Sequence, residues 1–209
     1  MPYKAVLFDA FGTIVQIKER THPYRHLLKE GMRGGRQPKS DDIHRLMTLN
    51  LGLPEAAEHL RIPVSLTRLA EINQMLVDEL SSIEAFPDAG EAMAVLRSHN
   101  IAIGVVSNLA QPYGSAVKRL FPDLDAYIFS YEQSILKPDP AIYRTACQML
   151  GTAPGHMFDG DRVAMVGDSL RCDRDGPRAV GITGVHLSRS GAGSTTNLLD
   201  FARDIVAYE

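Results

Sequence analysis

The sequence has little cysteine, no tryptophan and no long apolar run. Its two cysteines, Cys147 and Cys172, lack the paired spacing of a zinc site or a disulfide framework. They indicate free thiols in a reducing compartment, so we expect a cytoplasmic protein. No stretch approaches the ~20 apolar residues that a membrane helix needs, and we therefore expect no membrane contact.

A surplus of basic charge is also missing. The chain has 22 Lys and Arg against 25 Asp and Glu, a net charge of −3, which argues against a nucleic-acid partner. The apolar run near the N-terminus is interrupted by Asp9, which does not fit a secretory signal peptide. With 209 residues the chain can form one large domain or one domain with an insertion.

The segment from Ala5 to Thr13 is the stretch around which the chain is organised. A short run rich in β-forming residues ends at Asp9 and is broken by Gly12. In an open parallel sheet the ligand crevice lies beyond the carboxyl ends of the strands, so Asp9 is expected to face solvent and meet a substrate there. Gly12 lets the backbone fold tightly around a ligand. Alone, such an acid could equally be a helix cap or turn residue.

Strands alternate with helices along most of the chain. Further strands are predicted at 101–106, 126–130, 162–166 and 183–187. One helix is predicted to end near residue 100, and two more are predicted at 112–120 and 140–150. A fourth helix contains Ala179 and Val180 and ends at Gly181, and a fifth begins near Asn197. This alternation predicts a doubly wound, Rossmann-like α/β core with a parallel sheet.

A helical insertion follows the first strand. The pattern is helical from Ser40 to about Ile83, and Ser65 begins an amphipathic helix. Some seventy residues are too many for a simple crossover. We therefore predict a small α-helical cap domain at 16–86, with the α/β core formed by 1–15 and 87–209.

The early part of the insertion is cationic and has two open interpretations. Its basic residues are Lys18, Arg20, Arg25, Lys29, Arg33, Arg36 and Lys39. One interpretation is a solvated helix face followed by a loop. The other is a positive rim that attracts anionic substrates to the Asp9 crevice.

Polar residues follow several of the predicted strands. Asp9, Ser107, Lys137 and Asp168 all fall at or just after strand ends, so they are expected to share one crevice. For Lys137 the alternative is a surface lysine before a proline-started helix. For Asp173, which lies close by in sequence, the alternative is a helix cap.

The motifs around these residues resemble those of the haloacid dehalogenase superfamily. They are Asp9-Ala10-Phe11-Gly12-Thr13, Val106-Ser107-Asn108, Lys137-Pro138-Asp139-Pro140, and Gly167-Asp168-Ser169 with Asp173 and Gly176. The resemblance covers essentially the whole chain, and the helical insertion after the first motif agrees with it. It implies a hydrolase with a small-molecule substrate.

In the phosphatase branch, the resemblance implies that Asp9 attacks phosphorus and forms an aspartyl-phosphate. It implies Mg²⁺ held by Asp9, the Phe11 carbonyl oxygen and Asp168. The implied substrate is an anionic phosphate ester or anhydride. Its phosphate would be bound by Ser107, Asn108, Gly12 and Lys137. Lys137 would also neutralise charge, and Asp173 would orient Lys137 or a metal-bound water.

Phe11 departs from the phosphatase pattern, which usually has a second aspartate there as general acid and base. Without it, alkyl phosphates are expected to be poor substrates and acyl or aryl phosphates better ones. Metal-independent 2-haloacid dehalogenases commonly have an aromatic residue at this position, and Arg33 or Arg36 could then receive halide. A third possibility is a non-catalytic binding module.

Electrostatics favours the metal-dependent alternative. Asp9, Asp168 and Asp173 outnumber Lys137, and clustered carboxylates repel one another unless a cation lies between them. In the family pattern, the metal-free dehalogenases have uncharged serines where this chain has Gly167 and Asp168. We therefore predict a magnesium-dependent phosphohydrolase in preference to a dehalogenase.

Overall fold

The structure is a computed structural model that describes residues 2–155, 160–191 and 193–207. The strands are β1 (Tyr3–Phe8), β2 (Val15–Ile17), β3 (Ile83–Ala85), β4 (Ala102–Ser107), β5 (Ala126–Phe129), β6 (Arg162–Gly167) and β7 (Thr183–His186). The helices are α1 (Pro23–Arg33), α2 (Asp42–Thr48), α3 (Leu53–His59), α4 (Leu66–Ser81), α5 (Pro87–Ser98), α6 (Gln111–Leu120), α7 (Ser130–Gln133), α8 (Pro140–Met149), α9 (Gly176–Arg178) and α10 (Leu198–Val206). In the described ranges, no helix has the length and apolar character needed to cross a membrane.

A five-stranded parallel sheet forms the core, in the order β5-β4-β1-β6-β7. Successive residues of β1 point to opposite faces of this sheet. Val6 and Phe8 join a hydrophobic cluster with residues of α5 and α10, whereas Ala5 and Leu7 join a second cluster with residues of α8. Because both faces are covered by helices, the predicted doubly wound α/β fold is confirmed.

The order of the strands determines where the polar residues meet. The central strand β1 lies between β4 and β6, and all three run parallel. Asp9 follows β1, Ser107 ends β4, and Asp168 follows β6. These three residues therefore lie side by side at the carboxyl edge of the sheet.

Helices α1 to α4 make up the insertion between the first two core strands. They enclose a separate hydrophobic cluster that includes Leu27, Leu53 and Ile72. The predicted start of α4 is confirmed, since the Ser65 hydroxyl accepts a hydrogen bond from the Arg68 amide at 3.2 Å.

A two-stranded antiparallel sheet, β2 with β3, lies at the base of this insertion and was not predicted. Val15 pairs with Ala85, and Ile17 pairs with Ile83. Each strand has only three residues, which is too short for a periodic pattern to appear in the sequence. The pairing brings the two ends of the insertion together.

The predicted helix through Ala179 and Val180 is wrong in its position. The chain instead forms a π-helical segment at Leu170–Asp175, and the single turn α9 ends at Arg178. Pro177 has no amide hydrogen to donate to a preceding turn, which favours an irregular helix here. The wide turn places the Asp173 side chain at the sheet edge.

Candidate active site

Asp9 is buried, with only 7% of its surface exposed, so the expectation that it faces open solvent is wrong. Its Oδ1 atom accepts hydrogen bonds from Lys137 Nζ at 2.7 Å and from Ser107 Oγ at 3.1 Å. Its Oδ2 atom accepts a longer one from Thr13 Oγ1 at 3.4 Å. These donors replace the water that a carboxylate at a strand end would otherwise bind.

Lys137 is also buried, and the surface alternative for it is wrong. Its Nζ atom donates to Asp9 Oδ1 and to Asp173 Oδ1, both at 2.7 Å. Burial alone would lower the pKa of Lys137, but the two carboxylates raise it above its usual range. The side chain is therefore a fixed cation between two acids.

Asp173 is the most buried of the acidic residues at the site. One carboxylate oxygen accepts from Lys137, and the other accepts from the Ser169 amide at 2.9 Å. Loss of hydration raises the pKa of Asp173, although Lys137 opposes the change. Asp173 lies within the π-helical segment and the N-cap position of α9 is Asp175, so the predicted alternative that Asp173 caps the following helix is wrong.

Asp168 completes the acidic cluster on its exposed side. Desolvation by surrounding atoms and the nearby charge of Asp9 raise the pKa of Asp168. One ligand atom each from Asp9, Asp168 and Asp173 lies within 4.8 Å of the other two. This spacing allows the three carboxylates to share a cation.

Two glycines make room for these carboxylates. A Cβ atom on Gly12, whose φ is +86°, would overlap Asp168 Oδ2, and one on Gly167 would overlap the Asp173 carboxylate. The Gly12 amide donates to Val15 O at 2.9 Å. That amide is therefore engaged within the loop, and the absence of a side chain makes room for Asp168. The predicted contact of Gly12 with substrate remains a prediction.

Asn108 is tied to the backbone of Lys137 in both directions. Its Nδ2 atom donates to Lys137 O at 2.9 Å, and its Oδ1 atom accepts from Lys137 N at 2.8 Å. The predicted role of Asn108 in substrate binding remains a prediction. Its observed contacts orient the loop that carries Lys137.

The Phe11 ring is the part of the first motif that faces the insertion. It packs edge-to-face on Tyr113 of α6, with ring centroids 5.7 Å apart. Tyr113 in turn lies 6.3 Å from Tyr24 of α1, between ring centroids. The Phe11 side chain carries no titratable group, and it packs against an aromatic ring.

A cavity of about 260 Å³ lies between the first motif, α6 and the insertion, and we call it the Phe11 cavity. Its walls include Phe11, Tyr24, Met47, Asn108 and Tyr113. Asn108 directly follows Ser107 in the chain, and Phe11 lies two residues after Asp9. The cavity wall therefore includes close sequence neighbours of two residues that meet at the strand ends.

Glu79 of α4 is a charged residue on the wall of the Phe11 cavity. Its Oε2 atom accepts from the amides of Thr21 and His22 at 2.6 and 2.8 Å, and its Oε1 atom accepts from the Tyr113 hydroxyl at 2.6 Å. Burial opposes ionisation, but these donors lower the pKa of Glu79 overall. Glu79 and Tyr113 were missed in the sequence, because neither belongs to a motif and they come from distant elements.

The basic segment of the insertion does not supply a cation to this cavity. Arg36 forms a two-pronged ion pair with Asp42, and Arg33 pairs with Glu30. Neither arginine lines the Phe11 cavity, so the proposed halide site at these residues gains no support. Most of the other basic residues of the segment are exposed, as both interpretations require, and the positive rim over the Asp9 crevice remains a prediction.

A parallel α/β sheet with a buried acid, a lysine and two further acids at its carboxyl edge has its polar crevice where doubly wound α/β proteins bind their ligands. The chain belongs to the haloacid dehalogenase-like hydrolase family, whose model matches residues 3–181. The enzyme class predicted from the motifs is thereby confirmed at the level of a hydrolase.

The relatives of known activity include a phosphatase and a haloacid dehalogenase. The chain is 28% identical over 216 residues to validoxylamine A 7'-phosphate phosphatase of Streptomyces hygroscopicus subsp. limoneus, covering 95% of this chain and 94% of that protein. It is 23% identical to (S)-2-haloacid dehalogenase 1 of Pseudomonas sp., covering 75% of this chain and 74% of that one. A solved phosphatase structure from Thermococcus onnurineus shares the fold with a TM-score of 0.68 at 20% identity, covering 97% of each chain.

Proposed function

We propose that this chain is a Mg²⁺-dependent phosphohydrolase that acts on a small phosphorylated metabolite through an aspartyl-phosphate on Asp9. The observation that carries the proposal is the excess of acid at the site. Three carboxylates meet at 4.8 Å or less around one buried lysine. In the family pattern, the metal-free dehalogenases have an uncharged serine where this chain has Asp168.

The acidic cluster fits a hard cation. The formal charge of three carboxylates and one ammonium is −2, and the pKa values of Asp168 and Asp173 are both raised. Oxygen ligands of this kind suit Mg²⁺, which Asp9, Asp168 and the Phe11 carbonyl oxygen would hold. When bound, the ion neutralises the carboxylates and the phosphoryl oxygens.

The chain's own residues carry out the displacement. An Asp9 oxygen attacks phosphorus, the bond from phosphorus to the leaving oxygen breaks, and that oxygen takes a proton from solvent. Water then cleaves the aspartyl-phosphate, which releases inorganic phosphate and restores Asp9. Lys137 remains protonated and stabilises negative charge. The Ser107 hydroxyl donates to Asp9 Oδ1 in the free enzyme, and its single hydrogen turns to a phosphate oxygen when the substrate binds.

The apolar Phe11 side chain determines which esters react fast. It cannot donate a proton to the leaving group, and general acid catalysis is typically worth ~10²–10⁴ in rate. We therefore propose that acyl and aryl phosphates react faster than alkyl phosphates. We also propose that 16–86 is a cap that closes over the bound substrate; its separate hydrophobic cluster supports this division.

Cytoplasmic location is part of the same proposal. Cys147 and Cys172 are both free thiols, which suits a reducing compartment. Mg²⁺ and phosphorylated metabolites are both available there.

The deciding experiment is phosphate release from acyl, aryl and sugar phosphates, each with Mg²⁺ and with EDTA. We expect release only with Mg²⁺, and a loss of roughly 10³-fold or more in Asp9→Asn. Asp204→Asn, on the exposed face of α10, is the matched control and should retain full activity. Unchanged release in EDTA would contradict the metal requirement, and unchanged release in Asp9→Asn would contradict the nucleophile.

A metal-independent 2-haloacid dehalogenase is the second candidate, and Phe11 is the observation that favours it. The test is halide release from a 2-haloacid in EDTA. Halide release without phosphate release would replace the phosphohydrolase proposal. No turnover in either assay would favour a non-catalytic binding module.

A further inference from the structure

The Phe11 cavity has aromatic walls and a size that limits its occupant. Phe11, Tyr24 and Tyr113 form a continuous group of rings along it. A volume of about 260 Å³ exceeds the ~150 Å³ of an apolar cavity that holds benzene. One substituted ring therefore fills this space.

The charge on the cavity wall has one sign. Among the lining residues that the structure describes, none is a lysine or an arginine, and Glu79 is the acid. The exposed Arg20 acts electrostatically on Tyr113 but does not line the cavity. An anionic group placed here would lose its hydration and meet the Glu79 carboxylate.

Glu79 does not need a cationic ligand. Its two oxygens already accept hydrogen bonds from Thr21, His22 and Tyr113. In the part of the chain that the structure describes, the buried Tyr24 hydroxyl on the same wall has no hydrogen-bond partner. The walls thus offer a ligand aromatic surface.

We infer that the group esterified to the phosphate is uncharged and largely apolar, about the size of one substituted ring, and that the Phe11 cavity selects against a second anionic group. This inference rests on the proposed phosphohydrolase function and names its substrate class. Carboxylate-bearing phosphates and bisphosphates are excluded from the preferred substrates.

The test compares two aryl phosphates of similar size, 4-methylphenyl phosphate and 4-carboxyphenyl phosphate, with acetyl phosphate as a small reference. The carboxylate-bearing phenol is the better leaving group, so chemistry alone favours 4-carboxyphenyl phosphate. We expect kcat/KM of the full chain with Mg²⁺ to favour the methyl compound by roughly tenfold or more. Equal values, or a preference for the carboxylate, would overturn the inference.

A charge variant tests the cavity directly. Met47→Lys introduces an ammonium at the wall and should shift the kcat/KM ratio toward 4-carboxyphenyl phosphate by roughly tenfold. Met149→Lys is the matched control, because Met149 is exposed at the end of α8; it should leave the ratio unchanged. An unchanged ratio in folded Met47→Lys would contradict the assigned cavity.

Binding separates failure of this inference from failure of the proposed function. Calorimetry with Asp9→Asn and the two aryl phosphates measures the cavity preference without turnover. No phosphate release by the wild type from any of the three compounds would refute the phosphohydrolase. Tighter binding of the methyl compound would still support the cavity assignment, and equal or reversed affinity would overturn it.

Discussion

Gly12 brings the backbone of the first motif against the Asp168 carboxylate. Its φ of +86° is unfavourable for other residues, and a Cβ atom there would overlap Asp168 Oδ2. We expect Gly12→Ala to displace Asp168 and to reduce Mg²⁺-dependent phosphate release by roughly tenfold or more, since small errors in position are costly at an active site. Steady-state kinetics at several Mg²⁺ concentrations measures this loss.

Gly35 provides the control for backbone strain. Its φ is +83°, and a Cβ atom added there would meet no described atom within 4 Å. Gly35→Ala should therefore have the same backbone strain as Gly12→Ala, about 1 kcal/mol or somewhat more. It should retain the activity of the wild type. Equal activity in the two variants would show that Asp168 tolerates the added methyl group.

The site residues at strand ends could be predicted from the sequence. Asp9, Ser107 and Asp168 follow predicted strands, and parallel strands bring their carboxyl ends to one edge. Glu79 and Tyr113 could not be predicted as site residues, because their 2.6 Å contact joins helices that are separate in sequence. Such a contact depends on how the insertion packs, which no local pattern encodes.

At the level of elements, the start of α2 depends on an ion pair. Arg36 donates to both oxygens of Asp42 at 2.8 and 2.6 Å, and both side chains are largely buried. The Arg36 contact outweighs desolvation and lowers the pKa of Asp42 from 3.8 to about 2. The unfolded chain therefore binds this proton more readily than the folded one between these two values.

We expect Asp42→Asn to lower the free energy of unfolding by about 2 kcal/mol at neutral pH. The stabilisation is complete above the unfolded pKa and disappears as pH falls through the folded pKa, so the difference from wild type should vanish near pH 2. Urea unfolding from pH 7 to pH 2 measures it. Asp41→Asn is the control, because the Asp41 side chain makes no capping hydrogen bond; an equal loss there would contradict the ion-pair explanation.

Long elements with a clear period were predicted well, and short ones were not. Helix α8 follows the predicted start, with Asp139 Oδ1 accepting from the Ala141 amide at 2.9 Å. Strands β2 and β3 depend on each other for their hydrogen bonds. The π-helical turn depends in part on the contact of Asp173 with Lys137, which is distant in sequence.

For the whole molecule, the Tyr113 hydroxyl links helix α6 of the core to the insertion through Glu79. Tyr113→Phe removes this donor but keeps the ring against Phe11. We expect a loss of about 1–2 kcal/mol, because Glu79 remains buried with one donor fewer. Hydrogen exchange should become faster at Thr21, His22 and the end of α4.

Tyr127→Phe separates this effect from the general loss of a tyrosine hydroxyl. The Tyr127 hydroxyl donates to the Phe121 carbonyl within the core. This variant should leave exchange in the insertion unchanged. Equal exchange in the insertion for both variants would contradict the role of Tyr113 as a link.

The pairing of Ile17 with Ile83 also bears on how such a chain can diversify. Residues in register across an antiparallel pair lie only ~5 Å apart, so the insertion leaves and re-enters the core at almost the same point. Recombination at these two positions could exchange one insertion for another without disturbing the order of the parallel strands. The insertion can therefore be exchanged without a change in the residues at the sheet edge.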